Sequence, residues 1–295
     1  INASIEFDRH LFRQDIAAGN TVAILPGAER LLFDDYTSTS LKLYDATLTH
    51  LLDIPYNGSR GSPIVIAHPA GHFYAGQRGA GGADHSFIQQ IESDGTISQT
   101  WTLDAAGLTA FAVNLAKTIL YHNGQVSSLQ SRIRRWDLIN EIALSDLVAD
   151  VANYEVFPAM MVAPDDTIVV GYRKATVVRD VFVRRYNPNG TTAATYTPSG
   201  TVTLAPHLAP GAGTNPSTFW LWRAYAGTEG NGSGWDNFSE IRLSDGVTIS
   251  DVATIQFESG RYEPDAEASP PFLFGHSDSC FFGVLPVTLA PPDAV

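Results

Sequence analysis

The sequence predicts an all-β chain, because one β-hairpin pattern recurs along it and helical patterns are nearly absent. The clearest copy is residues 86–103, SFIQQIESDGTISQTWTL, in which two alternating runs flank Ser93-Asp94-Gly95. An Asp-Gly pair favours the positive φ that a tight hairpin turn needs. Two stretches have a helix-like pattern. The segment 104–116 is short and interrupted by Gly107, and 132–150 is in register with the other hairpins, so neither is assigned as a helix.

Six hairpins of this kind recur about every 40 to 50 residues. The residues before their tips are aromatic or aliphatic: Phe7, Tyr44, Ile91, Trp136, Tyr186 and Leu243. From the second hairpin onward an apolar pair of runs precedes each one, so a full unit has four strands. This period with four antiparallel strands per unit is typical of β-propellers. We therefore predict a single six-bladed β-propeller domain of four-stranded antiparallel blades over residues 1–295.

The last predicted blade is a composite of the two ends of the chain. The N-terminal hairpin has no apolar pair before it, and the C-terminal pair has no hairpin after it. We expect N-terminal outer strands to pair with C-terminal inner strands, which closes the ring and leaves no free sheet edge. The segment 259–270 is expected to be a crossing between blades. The predicted blades are residues 20–56, 62–104, 108–147, 155–198, 200–258, and 270–286 with 1–17.

Composition narrows the classes of partner. The formal net charge of −13 would repel a phosphate backbone or an anionic membrane, so nucleic acid is not expected as a partner. The single cysteine, Cys280, excludes an intramolecular disulfide framework and a multi-cysteine metal cluster. No apolar run is long enough to span a membrane, so membrane insertion is not expected. The sequence starts without Met and without a signal-peptide pattern, so we expect a processed product, a fragment or the ordered part of a longer polypeptide.

The loops joining second and third strands, together with the crossings between blades, form the predicted binding face, because long loops on a rigid scaffold commonly carry function. The loop 226–237, AGTEGNGSGWDN, is Gly-rich and contains one large aromatic residue. An exposed indole can stack on a sugar ring while neighbouring polar groups bind its hydroxyls. The candidate ligand-binding residues are Trp235, Asn231, Asp236 and Glu229. The alternative interpretation of this loop is a flexible surface connection.

A second candidate site lies where the fourth predicted inner strand begins. Asn153 and Glu155 precede that strand, and Asn57 precedes another blade. The architecture resembles that of sugar-lactone hydrolases, six-bladed propellers in which carboxylates and amides hold a divalent cation at the channel. That resemblance implies Ca²⁺ or another divalent cation at Glu155, Asn153 and Asn57. The alternative is that these side chains cap loop backbone, and in that case no cofactor is expected.

Catalytic motifs are not apparent, which favours a non-catalytic protein over an enzyme. The sequence has no GxSxG or HExxH pattern, and His68 and His72 are interpreted as turn residues because Pro69, Ala70 and Gly71 separate them. The chain resembles in type the propellers of phage tail and nozzle proteins. We expect a structural or adhesion module in an extracellular or virion assembly, with other protein subunits and surface carbohydrate as partners. The alternatives are a metal-dependent lactonase-like hydrolase and a peptide-binding domain.

Overall fold

The computed structural model describes residues 22–25, 30–34, 40–45, 49–55, 64–77, 86–103, 108, 110–127, 130–152, 154–163, 165–174, 181–196, 207–210, 218–224, 233–258, 262–265, 272–277 and 280–284. Regular structure in these ranges is entirely β-strand. None of the described residues belongs to a helix long and apolar enough to cross a membrane.

The strands form six antiparallel sheets, each made of consecutive strands in chain order. Sheet 1 contains β1 Val22–Leu25, β2 Arg30–Asp34, β3 Ser40–Asp45 and β4 His50–Pro55. Sheet 2 contains β5 Ile64–His68, β6 His72–Gln77, β7 Phe87–Glu92 and β8 Ile97–Thr102. Sheet 3 contains β9 Phe111–Val113, β10 Ile119–Ser127, β11 Gln130–Asp137 and β12 Ile142–Ala152.

The remaining sheets follow the same meander. Sheet 4 contains β13 Tyr154–Val162, β14 Ile168–Lys174, β15 Val181–Tyr186 and β16 Thr192–Tyr196. Sheet 5 contains β17 His207–Pro210, β18 Thr218–Ala224, β19 Ser233–Arg242 and β20 Thr248–Glu258. Sheet 6 has three strands among the described residues, β21 Tyr262–Asp265, β22 Phe272–Ser277 and β23 Cys280–Val284.

The all-β prediction is confirmed, as are its most specific hairpins. Strands β7 and β8 pair from Phe87↔Thr102 to Ile91↔Ile97 around the Asp94-Gly95 tip. The segment 132–150 forms the β11–β12 hairpin rather than a helix. Local alternation and turn chemistry therefore sufficed to identify these elements.

One strand assignment made from the sequence is wrong. The predicted crossing 259–270 contains β21, which pairs with β22 from Tyr262↔Gly275 to Asp265↔Phe272. Its sequence, YEPD, has a proline and two carboxylates and therefore lacks the usual strand composition. The C-terminal stretch thus supplies three strands to sheet 6 and not two. In sheet 5 the first described strand is His207–Pro210, and residues 201–206 lie outside the described residues. The predicted N-terminal strands, 1–17, also lie outside them.

Apolar side chains fill the space between consecutive sheets. Separate clusters of buried residues join sheets 1 and 2, sheets 2 and 3, sheets 3 and 4, and sheets 4 and 5. The first strand of one sheet lies close to the first strand of a neighbouring sheet. Strand β1 contacts β5 and β21, β13 contacts β9 and β17, and β17 contacts β21. The sheets are therefore packed face to face, with their first strands nearest one another.

The hairpins joining first to second strands and third to fourth strands lie at the same end of each meander, and we call this end the short-turn face. Several tips there need a positive φ, which Gly71, Gly95, Gly190 and Gly246 supply without a Cβ clash. Hydrogen bonds between tips of different sheets place the tips of sheets 2 to 5 side by side. The short-turn face thus consists of hairpin tips that contact one another from sheet to sheet.

Candidate functional site

A group of side chains with shifted pKa values lies on the short-turn face between sheets 2 and 3. We call His68, His72, Tyr74, Gln90 and Glu92 the histidine network. Strand pairing places His68 opposite His72, His72 opposite Glu92, and Tyr74 opposite Gln90. All five occupy alternate positions on one face of sheet 2, which is why three consecutive strands bring them together.

The two imidazoles are buried and stacked. Their ring centroids are 5.0 Å apart with an interplanar angle of 9°. Tyr74 packs edge-on against both rings, with centroid distances of 5.8 Å to His68 and 5.0 Å to His72. This arrangement excludes most water from the two histidines, so their charged forms are disfavoured.

Hydrogen bonds assign the proton on each ring. The backbone N–H of Ala70 donates to Nδ1 of His68 at 3.1 Å, so Nε2 carries the proton and donates to the carbonyl oxygen of Asn114 at 3.1 Å. The hydroxyl of Tyr74 donates to Oε1 of Gln90 at 3.4 Å, and its oxygen accepts from Nε2 of His72 at 3.2 Å. Nε2 of Gln90 then donates to Oε1 of Glu92 at 2.8 Å.

The pKa values follow from burial and from these partners. Burial lowers the pKa of His68, and burial together with the nearby His68 lowers the pKa of His72 to about 4. Burial raises the pKa of Tyr74 above its ordinary value. Hydrogen bonds from Ser98 and Gln90 lower the pKa of Glu92. At neutral pH the network therefore holds two neutral histidines, a protonated tyrosine and a carboxylate.

This arrangement is suited to holding structure. Both nitrogens of His68 are engaged, and Nε2 of His72 donates to Tyr74, which leaves the lone pair of His72 on Nδ1. His72 is only 2% exposed, so this nitrogen is shielded from a substrate. Tyr74 is buried and keeps its proton, which makes it a poor nucleophile. The network connects the β5–β6 hairpin of sheet 2 to the β9–β10 hairpin of sheet 3 through Asn114.

Further hydrogen bonds join consecutive sheets at the same face. Nε1 of Trp101 in sheet 2 donates to the carbonyl oxygen of Leu138 in sheet 3 at 3.1 Å. The backbone N–H of Leu115 in sheet 3 donates to Oδ1 of Asp166 in sheet 4 at 3.3 Å. Inter-sheet contacts at the tips are thus polar as well as apolar.

Sheets 4 and 5 are joined by the most extensive of these polar contacts. Arg185 donates through Nη1 to the carbonyl oxygen of Leu243 at 2.9 Å and through Nε to Oγ1 of Thr167 at 2.8 Å, and it forms an ion pair with Asp165. The hydroxyl of Tyr196 donates to the same carbonyl oxygen of Leu243. One guanidinium therefore ties an inner tip of sheet 4 to an outer tip of sheet 5.

The candidate ligand-binding residues are only partly placed by the structure. Trp235 and Asp236 lie in β19 and not in a loop, because this strand begins at Ser233. Trp235 is opposite Gln256, Asp236 is opposite Ala224 and Ile255, and the β19–β20 register shifts directly after Asp236. Asn231 and Glu229 lie outside the described residues. The Gly-rich composition of 226–237 predicts a loop throughout, whereas pairing with β20 extends β19 into this segment from Ser233 onward.

Of the three candidate metal ligands, the structure describes Glu155 alone. Glu155 is in β13, opposite Arg173 in β14. Asn153 and Asn57 lie outside the described residues. Within the described ranges no group of three or more His, Cys, Asp or Glu side chains is arranged to hold a metal ion.

The sequence predicts His68 and His72 as turn residues, whereas they end β5 and begin β6 on either side of the turn, and no sequence motif predicts the network they form. A signal was present, since His72 and Tyr74 alternate on one strand and Gln90 and Glu92 alternate on the next. Period-2 polar residues on two adjacent strands predict a polar row on one sheet face. Burial of that row depends on sheet 3, which no local pattern reveals.

Comparison with known proteins supports the fold and leaves activity open. No protein-family model and no curated protein sequence matches this chain. A solved structure of a protein of unknown function from Bacteroides caccae is similar, with a TM-score of 0.55 and 14% sequence identity, over 80% of this chain and 81% of that one. At this identity the likeness concerns the fold alone.

Proposed function

We propose that this chain is a six-bladed β-propeller that acts as a non-catalytic structural or adhesion module. In this proposal it is a rigid platform that binds protein subunits or glycans within a larger extracellular or virion assembly of the phage-tail type. The ring is supported by the neighbour relations of the first strands, since β1 contacts both β5 and β21, and β17 contacts both β13 and β21. First strands that contact first strands in this way are expected around the axis of a propeller.

The observation that carries the platform proposal is the set of hydrogen bonds joining successive sheets at the short-turn face. Trp101 to Leu138, Leu115 to Asp166 and Arg185 to Leu243 link sheets 2, 3, 4 and 5 in turn. Such bonds, added to the apolar clusters, oppose sliding of one sheet against the next. In the histidine network the titratable groups are likewise used to join sheets, which favours a scaffold over an enzyme.

The opposite end of the sheets is the proposed ligand-binding end, with Trp235, Asn231, Asp236 and Glu229 as the candidate residues. The register shift after Asp236 is relevant, because bulges re-aim side chains and are common beside binding sites. A sugar would stack on the Trp235 indole and hydrogen-bond to the polar groups beside it.

A glycan array probed with purified protein tests this ligand. We expect specific glycans to bind, Trp235→Ala to abolish their binding, and Leu51→Ala, a change at an exposed aliphatic on another sheet, to leave it unchanged. Binding that survives in Trp235→Ala would remove the glycan proposal while leaving a protein-binding platform.

Elemental analysis tests the alternative function, the metal-dependent hydrolase. A stoichiometric divalent ion that is lost in Glu155→Gln would favour the lactonase-like hydrolase instead.

Ring closure has its own test. We propose that N-terminal residues pair with sheet 6, where three strands are described, and complete that sheet. Deletion of residues 1–17 should then expose a sheet edge and promote aggregation, which light scattering would detect. A truncated protein that stays monomeric with unchanged stability would argue against closure by the N-terminus.

A further inference from the structure

Two neighbouring hairpin tips on the short-turn face carry exposed aliphatic side chains. Ile139 and Ile142 in the β11–β12 tip are 69% and 52% exposed, and Leu115 in the β9–β10 tip is 39% exposed. Only Leu51 and Val247 join them as exposed large hydrophobic residues in the described part of the chain. Three of these five side chains therefore belong to one sheet.

The tips are in contact with one another. The backbone N–H of Leu138 donates to the carbonyl oxygen of Thr118 at 2.8 Å, which joins the two tips of sheet 3. Leu115 donates to Asp166 and joins them to the inner tip of sheet 4. We call residues 114–118, 137–142 and 165–167 the sheet-3 tip surface. Its aliphatic side chains lie on adjacent turns of a continuous surface, unlike isolated exposed residues.

The backbone of these tips differs from that of the other tips. Lys117, Glu141 and Asp166 have φ values of 58°, 57° and 64°. Comparable positive-φ positions in other tips are glycines, namely Gly71, Gly95, Gly190 and Gly246. The tips near Leu115, Ile139 and Ile142 therefore bear charged side chains at positions where those other tips have none. All three such residues lie in the sheet-3 tip surface.

The charge of this surface indicates the chemistry of its partner. Asp137, Glu141, Asp165 and Asp166 are acidic, and Lys117 is the one basic residue within the three segments. Asp165 is paired with Arg185, which leaves three carboxylates against one ammonium group. A second copy of the chain would bring the same acidic surface, and a net charge of −13, against it.

We propose that the sheet-3 tip surface docks a basic amphipathic segment of a partner protein. Aliphatic or aromatic side chains of that segment cover Leu115, Ile139 and Ile142, and its lysines or arginines face Asp137, Glu141 and Asp166. This proposal goes beyond the platform function, because the surface lies at the opposite end of the sheets from Trp235. The outcome of its test is independent of glycan binding at Trp235.

The test uses designed 18-residue peptides and the full chain, with binding measured by fluorescence anisotropy at 0.15 M and 0.5 M NaCl. The probes are a Lys/Leu amphipathic peptide, a Lys/Ser peptide of equal charge and a Glu/Leu peptide of equal hydrophobicity. We expect the Lys/Leu peptide to bind best and to weaken at high salt. The double variant Ile139→Ser/Ile142→Ser should weaken it at least tenfold, whereas the matched variant Leu51→Ser/Val247→Ser should not.

Several results would overturn the proposal. These are absence of Lys/Leu binding, equal loss of binding in the two double variants, or equal affinity for the Glu/Leu peptide. Light scattering after size exclusion tests whether a second copy of the chain occupies this surface instead. A dimer that dissociates in Ile139→Ser/Ile142→Ser would assign the surface to that second copy. Circular dichroism and thermal unfolding check that both double variants remain folded.

Discussion

The indole nitrogen of Trp101 donates a hydrogen bond to the carbonyl oxygen of Leu138, 3.1 Å away, and so joins the fourth strand of sheet 2 to the outer hairpin tip of sheet 3. Tyr196 makes the corresponding bond two sheets later, from the fourth strand of sheet 4 to Leu243 at the outer tip of sheet 5. The two acceptors are equivalent, since each is the first residue after the third strand of its sheet. The structural repeat therefore includes hydrogen bonds between sheets as well as the strands themselves.

The bond from Trp101 should contribute measurably to stability. Trp101→Phe removes the donor and should lower the free energy of unfolding by about 1 to 2 kcal/mol more than Trp136→Phe does. Trp136 is the matched control, because it is buried in the same cluster and its Nε1 has no hydrogen-bond partner among the described residues. Urea denaturation of the two variants measures the difference. Equal losses would show that the hydrogen bond contributes nothing beyond packing.

Arg185 should matter more than a comparable surface arginine. Arg185→Met removes bonds to Thr167, Leu243 and Asp165 and should cost about 2 kcal/mol, because charged hydrogen bonds in a partly buried site are lost. Arg242→Met breaks an exposed ion pair with Asp245 and should cost less than about 0.5 kcal/mol. Chemical denaturation in parallel compares them, and a similar cost for both would contradict the proposed role of Arg185 in joining sheets 4 and 5.

Stability should fall as the pH is lowered toward the folded pKa of His72. Its ordinary pKa is 6.5 and its folded pKa is about 4, so between these values the unfolded chain binds a proton that the folded chain does not. The free energy of unfolding then rises with pH across this window, and the full contribution is present above pH 6.5. Urea unfolding at pH 7.5, 6.5, 5.5 and 5.0 should show this slope.

His72→Gln is the control for that slope. Glutamine does not titrate, so the variant should show a shallower pH dependence between pH 6.5 and 5.0 even if it is less stable at every pH. His68→Gln should also flatten the slope, because burial lowers the pKa of His68 as well. Parallel curves for wild type and both variants would show that the acid sensitivity arises elsewhere.

Close approach of sheets 2 and 3 should make Gly76 intolerant of a side chain. A Cβ at this position would lie 2.5 Å from Cε1 of Phe111 and 2.7 Å from Cδ2 of Leu108. Gly76→Ala should therefore destabilise the protein by about 1 to 3 kcal/mol. Thermal unfolding in a Phe111→Leu background tests the cause, since the smaller side chain should reduce the cost of Gly76→Ala. If Gly76→Ala destabilises the Phe111→Leu protein as much as the wild type, the contact with Phe111 is not the cause.

Sequence patterns predicted the local hairpins well and failed where a strand depends on its pairing partner. The 86–103 hairpin follows from alternation around Asp94-Gly95, which are neighbours in the chain. By contrast, Pro264 and its acidic neighbours disfavour a strand, and only pairing with β22 makes β21 one. Likewise, the glycines before Trp235 predict a loop, whereas pairing with β20 continues β19 back to Ser233.

The sequence by itself determined that this is an all-β chain of repeated antiparallel hairpins, because alternation and turn residues act over a few positions. Tertiary structure decided what those hairpins touch. The pKa of His72 depends on its stacking against His68, and the anchoring of His68 depends on Asn114 of the next sheet. Burial and hydrogen bonding between residues far apart in the chain arise only when sheets pack, so local patterns cannot encode them.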